Sequence, residues 1–470
     1  MRRLTTALLL NLAFVLSAAG CSATTRLASE ERRPPRAPNI VFILADDLGW
    51  TDLGCMGSKY YETPNIDRLA AEGITFTNHH SAQNCTPTRA ALMSGQYPTR
   101  TGVYTVGSLV RGTPESRRFD PPQNETDLPL DRLTIAQQLK AAGYATAMFG
   151  KWHIGENGPH HPSRRGFDEA IVSAGVHFNF RTNPRTDYPS GTYLADFLTD
   201  KAVEFIQRHK DRPFFLYLPH FAVHSPHQAK QQWIDHFKAK RPAGGHNNPV
   251  YAAMIASIDE SVGRILATLD ELGLSDNTLI IFSSDNGGTP TTENAPLRGF
   301  KGMQYEGGLR VPLIARWPGV TLAGKRCSEP TVHVDLYPTL LAAASAPQPP
   351  QTLDGHSLVP LLRNPAARLP RQAIYFHLPG YLEGRGQQWR STPTSTIIAG
   401  RWKLLEFLEY GRTELYDLQA DLGETRDLSE QHPSKAAELL SMLHAWREQT
   451  GAAMPAPNPR YRHSTATASP

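Results

Sequence analysis

Four apolar runs of strand length punctuate this chain, and each gives way to polar residues of distinctive chemistry. Asn39-Ile-Val-Phe-Ile-Leu-Ala runs into Asp46-Asp47, and Ala145–Phe149 runs into Gly150-Lys151-Trp152-His153. Pro213–Leu218 leads to His220, His224 and His227, and Asn277–Ser284 leads to Asp285-Asn286-Gly287-Gly288. Runs without polar alternation mark strands buried on both faces, as in parallel sheets. Between them, apolar positions recur with helical spacing over Asn65–Glu72, Thr88–Ser94, Leu133–Ala142, Leu194–Arg208 and Val250–Leu272. Strands alternating with helices predict an α/β fold whose large, mostly parallel central sheet is flanked by helices. Ligands in such sheets gather beyond the carboxyl ends of the strands. The four polar strand ends are therefore expected to form one composite site.

After Pro347-Gln348-Pro349-Pro350 the texture changes. Ser395–Ile398, Trp402–Glu406 and Leu415–Asp417 read as short strands with turns at Ala399-Gly400 and Tyr410-Gly411, and Ser434–Arg447 reads as a helix. This predicts a smaller C-terminal α+β subdomain with a short antiparallel sheet. The expected organisation is a main domain over 38–369, the subdomain over 370–452 and a disordered tail over 453–470, rich in Pro, Arg and Ser.

At the other end, Arg2 and Arg3 precede an apolar run from Leu8 to Leu16 and the small residues Ser17-Ala18-Ala19-Gly20. This pattern predicts a secretory signal over 1–21, too short to span a membrane stably. Cys21 after Ala-Ala-Gly resembles a bacterial lipobox, with Ala18 where Leu is usual. Lipid anchoring at Cys21 and simple cleavage near Ala19 are the alternatives. Residues 22–37 read as a flexible tether. The expectation is an exported protein of the periplasm, the cell surface or the medium.

Charge narrows the partners. A formal net charge of +4 over 470 residues is weak, and clusters such as Arg164-Arg165 are short, so no nucleic-acid partner is expected. The four cysteines are Cys21, Cys55, Cys85 and Cys327, with no Cys or His spacing that suggests zinc. Export would permit Cys55 and Cys327 to pair, and two buried free thiols fit the sequence equally.

Asp46, Asp47, Asp285 and Asn286 form an all-oxygen set that suits Ca²⁺ or Mg²⁺ and not zinc or copper. One acidic pair after a strand would be a helix cap; two, each closing a buried strand, favour a metal. In Cys85-Thr86-Pro87-Thr88-Arg89 the proline marks a first helical turn, which puts Cys85 at or just before a helix N-terminus. Backbone N–H groups and the helix dipole attract anions there, and Arg89 adds a positive charge about one turn on. The pattern points to a reactive group presented to an anionic substrate, with an ordinary buried cysteine as the alternative. In Leu297–Pro312 the glycines allow close backbone approach to a ligand while Lys301 supplies a cation.

Six blocks occur in order: N-I-V-F-I-L-A-D-D-L-G-W, T-P-N-I-D-R-L-A-A-E-G, C-x-P-x-R with the following S-G-x-Y-P-x-R, G-K-W-H, D-N-G-G and K-G-x-x-x-E-G-G-x-R-V-P. Together they resemble the type I, formylglycine-dependent sulfatases of the alkaline phosphatase superfamily, in particular exported bacterial arylsulfatases and glycan sulfatases. The resemblance implies an alkaline-phosphatase-like sandwich in which 38–369 is the catalytic domain. It implies a Ca²⁺, ahead of Mg²⁺, held by Asp46, Asp47, Asp285, Asn286 and the modified Cys85. Cys85 would be oxidised to formylglycine (3-oxoalanine) by a formylglycine-generating or sulfatase-maturating enzyme. Its hydrated aldehyde would attack sulfur, with Arg89 and Lys151 holding the reactive geometry. His224 and Lys301 would bind sulfate and assist the leaving oxygen, and His153 would accept the proton that releases sulfate. A role for His220 or His227 stays open.

The implied substrate is a sulfated carbohydrate, such as a galactose or N-acetylgalactosamine sulfate, or an aryl sulfate. A phosphonate or phosphodiester monoesterase of the same superfamily and a non-catalytic surface lipoprotein that binds sulfated glycan are the competing readings. Substrate choice is expected from the loops Gly102–Asp127, His177–Ser190, Gln228–Asn248 and Leu378–Thr394. The last carries Tyr381, Arg385, Gln387, Trp389 and Arg390, which could stack on a sugar or meet a second anionic group.

Overall fold

The computed structural model describes residues 37–383 and 389–462. The expected signal, Cys21 and all of the tether but Ala37 lie outside the described residues, as do Arg385 and Gln387. An eight-stranded sheet forms the centre. Its strands, in chain order, are β1 (Asn39–Ala45), β2 (Ile74–Phe76), β3 (Ala145–Gly150), β4 (Glu169–Val172), β5 (Phe214–Pro219), β6 (Thr278–Ser284), β7 (Leu313–Arg316) and β8 (Lys325–Cys327). They lie side by side in the order β8-β2-β7-β6-β1-β5-β3-β4. Only β7 runs antiparallel to its neighbours. The sheet is thus mostly parallel, and the strands read from apolar runs occupy its middle. The short outer strands β2, β4, β7 and β8 carry too few residues for a sequence signal, and they escaped the reading.

Side chains alternate across a strand, and β1 shows what that does to the core. Val41, Ile43 and Ala45 pack on one side of the sheet with helices α1 (Pro64–Glu72), α4 (Leu194–Arg208) and α5 (Pro249–Glu271). Ile40, Phe42 and Leu44 pack on the other with α2 (Cys85–Ser94), α3 (Ile135–Ala141) and α6 (Leu336–Ala344). With helices on both faces no strand position in the centre can be polar without cost. That is why all seven residues of β1 and all seven of β6 are buried.

A second sheet of four antiparallel strands follows: β9 (Ile374–Leu378), β10 (Thr394–Ala399), β11 (Trp402–Phe407) and β12 (Arg412–Asp417). Helix α7 (Pro433–Thr450) covers it through Leu439, Leu443 and Trp446. The disorder expected from residue 453 is corrected for residues 453–462. Ala456–Pro457 pairs with Phe119–Asp120, and Asn458 Nδ2 donates to the carbonyls of Pro114 and Arg117 at 2.7 Å. A composition that favours disorder is overridden here by backbone pairing to a loop remote in sequence. Cys55 and Cys327 are free thiols, which decides between the two alternatives left by the sequence. Among the described residues no helix is long and apolar enough to cross a membrane.

Candidate active site

Register places the polar strand ends together. β1 pairs with β6 from Asn39↔Thr278 to Ala45↔Ser284, so Asp46 and Asp285 leave the sheet side by side. β1 pairs with β5 up to Leu44↔Pro219, and Lys151 N donates to the Pro219 carbonyl at 2.8 Å. The four chemistry-bearing ends therefore meet at one edge of the sheet. Two of the residues there, Asp47 (φ 65°) and His153 (φ 62°), hold left-handed backbone without being glycine. Such strain persists only where the surroundings over-determine it, and it concentrates at functional sites.

Cys85 is the first residue of α2 and is 1% exposed. No side chain caps the helix start, which leaves its first N–H groups without a side-chain partner. The Cys85 sulfur lies 3.5 Å from Asp46 Oδ1, 3.5 Å from Lys151 Nζ and 3.3 Å from Lys301 Nζ. Arg89 is buried and donates from Nη2 to Asp285 Oδ2 at 2.7 Å and from Nη1 to the Lys151 carbonyl at 2.6 Å. It thereby ties the helix to two strand ends. Lys151 pairs with Asp46, and Lys301 donates to Asp47 Oδ1 at 2.6 Å. Three buried carboxylates are thus matched by three cations, and buried charges survive only when paired in this way.

The electrostatics are crowded. Burial and the neighbouring Asp285 raise the Asp46 carboxyl above its ordinary value. Burial also acts on Asp285, but Arg89 and Lys151 outweigh it and hold that carboxyl low. Burial, and then Asp285, push the Cys85 thiol up to about 12 despite the two nearby lysines. As a thiol, Cys85 is therefore protonated at neutral pH and a poor nucleophile. Burial, with Lys151 and Arg89, pushes His153 down to about 3, so its imidazole is neutral. Its Nδ1 is buried without a hydrogen-bond partner.

The donor set fits a hard cation. Asn286 Nδ2 donates to Asp47 Oδ1 at 2.8 Å, which leaves Asn286 Oδ1 buried with no hydrogen-bond partner. An orphaned buried amide oxygen on a side chain bonded to Asp47 is what a cation bound through oxygen would satisfy. Atoms of Asp46, Asp47, Cys85 and His224 also lie within 4.8 Å of one another.

A cavity of about 200 Å³ opens onto this cluster, lined by Asn84, Cys85, Thr105, Val106, Arg111, His153, His224, Lys301, Gly302, Leu382 and Arg390. His224 Nε2 stands 3.8 Å from Asp47 Oδ2, and His177 steadies its loop by reaching the His224 carbonyl at 2.9 Å. His220 is instead fully buried against Ser261 Oγ at 2.9 Å, and His227 packs edge-on to Tyr251. Neither lines the cavity. Of the four loops expected to choose the substrate, Gly102–Asp127 and Leu378–Thr394 contribute to the lining; His177–Ser190 and Gln228–Asn248 contribute no residue. Tyr381, expected to face a sugar, is 0% exposed and accepts from Phe119 N at 3.0 Å.

Sequence reasoning missed one supporting group. Glu306, in the block after Lys301, is fully buried and binds Lys403 of β11 at 2.9 Å; Lys403 also binds Glu424 at 2.8 Å. Glu424 Oε2 accepts from Glu306 N at 2.7 Å. This network clamps the Lys301 loop to the second sheet. Lone charged residues spread from 306 to 424 give no pattern from which it could be read.

Comparison with known proteins agrees with the geometry. The family model described as sulfatase matches residues 38–346, and one described as the C-terminal part of N-sulphoglucosamine sulphohydrolase matches 300–450. A protein named sulfatase from Formosa agariphila is 36% identical, covering 87% of this chain and 88% of its own. The human N-acetylgalactosamine-6-sulfatase is 35% identical over 73% of this chain and 69% of its own. The crystal structure of Ps i-CgsB in complex with k-i-k-neocarrahexaose superposes with a TM-score of 0.75 at 30% identity, covering 92% of this chain and 96% of that one.

Proposed function

This chain belongs to the sulfatase family and is a sulfatase, and from that premise we propose that it removes sulfate from a sulfated carbohydrate using formylglycine made from Cys85 and a bound Ca²⁺. The observation that carries the reading is Cys85 itself. It sits at a helix start among Lys151, Lys301 and Asp46 and lines the cavity, where burial raises its thiol pKa. A nucleophile made by oxidation of this cysteine would stand where an anionic substrate meets the lysines.

Asp46, Asp47, Asp285 and Asn286 would hold the cation. Cation and aldehyde together would supply polarisation of the sulfate oxygens and an attacking hydroxyl. The remaining work falls to residues of this chain. Arg89 and Lys151 fix the position of residue 85 through the bonds that join α2 to the strand ends. Lys301 Nζ, 3.3 Å from the Cys85 sulfur, would neutralise sulfate oxygens, and His224 would donate a proton to the leaving sugar oxygen. His153, neutral and unpartnered at Nδ1, would accept a proton from the side chain at position 85. The carbohydrate assignment is supported by the human relative's name and by the oligosaccharide bound to Ps i-CgsB. The reading also calls for a maturating enzyme in the producing cell and for export through residues 1–21, with lipid attachment at Cys21 or cleavage near Ala19.

Mass spectrometry of the peptide spanning residue 85 tests the modification directly: the aldehyde mass is expected, and an unmodified thiol in fully active protein would refute it. Sulfate release from sulfated mono- and oligosaccharides is to be compared with an aryl sulfate and an aryl phosphodiester. Activity confined to the aryl sulfate would sink the carbohydrate assignment, and a faster phosphodiester reaction would favour a monoesterase.

A further inference from the structure

Two arginines at the mouth of the cavity are left over from the charge pairing inside it. Arg89, Lys151 and Lys301 each bind a carboxylate. Arg390 also lines the cavity, is half-buried, and makes no hydrogen bond or ion pair to a described residue; its Nε is buried without a partner. Arg111, on the same wall, forms no ion pair among the described residues and only donates from Nη2 to the Val106 carbonyl at 2.9 Å. Arg390 Cζ lies 5.7 Å from the centre of the Phe300 ring and feels the charge of Asp47, but no carboxylate among the described residues binds it directly, so a bound anion would supply the direct partner it lacks.

The packing fixes these arginines in place. The aliphatic stem of Arg390 lies on Gly302, the neighbour of Lys301, so closely that a Cβ there would come within 2.7 Å of Arg390 Cδ. Ser391 Oγ donates to the Gly302 carbonyl at 2.6 Å and locks the same contact. On the Arg111 side, Gly112 N donates to Glu383 Oε1 at 2.8 Å, and a Cβ on Gly112 would meet the Trp389 ring at 2.6 Å. Arg117 Nη1 holds the carbonyls of Arg111 and Gly112 at 2.7 and 3.1 Å. Two segments remote in sequence are thus interlocked, and each brings one arginine to the cavity. Such pre-ordering is what bidentate recognition of a carboxylate or sulfate needs.

Resting on the sulfatase reading, we propose that the substrate carries a second anionic group near the ester that is cleaved, and that Arg390, with Arg111, binds it. A cavity of about 200 Å³ is smaller than those that enclose a drug-sized ligand. The second anion is either another sulfate on the same sugar or the carboxylate of a neighbouring uronate.

The test compares kcat/KM for a hexose monosulfate, the matching hexose disulfate and a disaccharide joining the monosulfate to a uronate, with nitrophenyl sulfate as reference. The wild-type enzyme is expected to prefer a doubly anionic probe by about 10–100-fold, and which one it prefers identifies the source of the second anion. Arg390→Ala should lose that preference, Arg390→Lys should retain part of it, and Arg111→Ala should reduce it. The loss on the doubly anionic probe should exceed the loss on nitrophenyl sulfate at least tenfold. Equal preference in the wild type, or equal loss on every probe, would overturn the inference. Calorimetric binding of the same sugars to Cys85→Ala protein, with and without Arg390→Ala, needs no turnover. A binding preference that depends on Arg390 without sulfate release by the wild type would count against the sulfatase reading and leave the second-anion site standing.

Discussion

Asn286 has two polar atoms, and only one finds a partner in the protein. Nδ2 binds Asp47, and Oδ1 is buried and unsatisfied. On the proposed Ca²⁺ reading, replacing Asn286 by Leu keeps the bulk, removes that oxygen and should weaken cation binding about 10–100-fold. Melting curves recorded across a calcium titration would show it, and an unchanged midpoint concentration would exclude Asn286 as a ligand. His153 behaves differently. It sits in left-handed backbone and is neutral, because burial, Lys151 and Arg89 outweigh the pull of Asp285. His153→Ala should lower kcat by about 10²–10⁴-fold with a much smaller change in KM, the signature of a proton acceptor. A change in KM alone would make it a binding residue.

Elements explain why these residues meet. The parallel register of β1, β5 and β6 brings their carboxyl ends level, and α2 then drops Cys85 into the space beyond them. The Lys301 loop has no strand to hold it. Its position depends on backbone bonds from Lys301 N to the Gly288 carbonyl at 2.9 Å and from Gly302 N to the Gln83 carbonyl at 2.7 Å, and on the buried Glu306–Lys403–Glu424 group behind it. Lys403→Met would leave two buried carboxylates without their shared cation. Removing one partner of a buried ion pair costs about 3–5 kcal/mol, and chemical denaturation should show a loss of that order. A loss below about 1 kcal/mol would mean that the group is no more than a surface-like pair. Arg310 and His80 also reach Glu306, so the loss is expected to fall mainly through Glu424.

At the scale of the whole molecule, buried histidines make stability depend on pH. Burial pushes His220, His333 and His377 each down to about 4. Between roughly pH 4 and the ordinary histidine value near 6.5, the unfolded chain binds protons that the folded chain refuses. Stability is therefore complete above about pH 6.5 and is lost as pH falls. Each histidine contributes about 2 kcal/mol of destabilisation at pH 5. The urea midpoint should drop steeply between about pH 7 and about pH 5, and His220→Gln, which keeps a partner for Ser261, should flatten that slope. A midpoint that rises on acidification would contradict the assignment.

The sequence by itself determined the strands that form the middle of the sheet, because burial on both faces demands long apolar runs that nothing else in the chain imitates. It determined the polar ends of those strands and the start of α2, since Pro87, the acidic pairs and the Cys-x-Pro-x-Arg spacing are local signals. It could not determine the outer strands, which are three or four residues long and are set by their neighbours. Nor could it determine that Tyr381 is buried while Arg390 faces the cavity, that His220 is a core residue, or that residues 453–462 are ordered. Those outcomes depend on which remote segments interlock, Gly112 on Trp389 and Gly302 on Arg390 above all. Contacts of that kind leave no periodicity along the chain, so only the tertiary structure decided which charges are matched and which are left to meet a substrate.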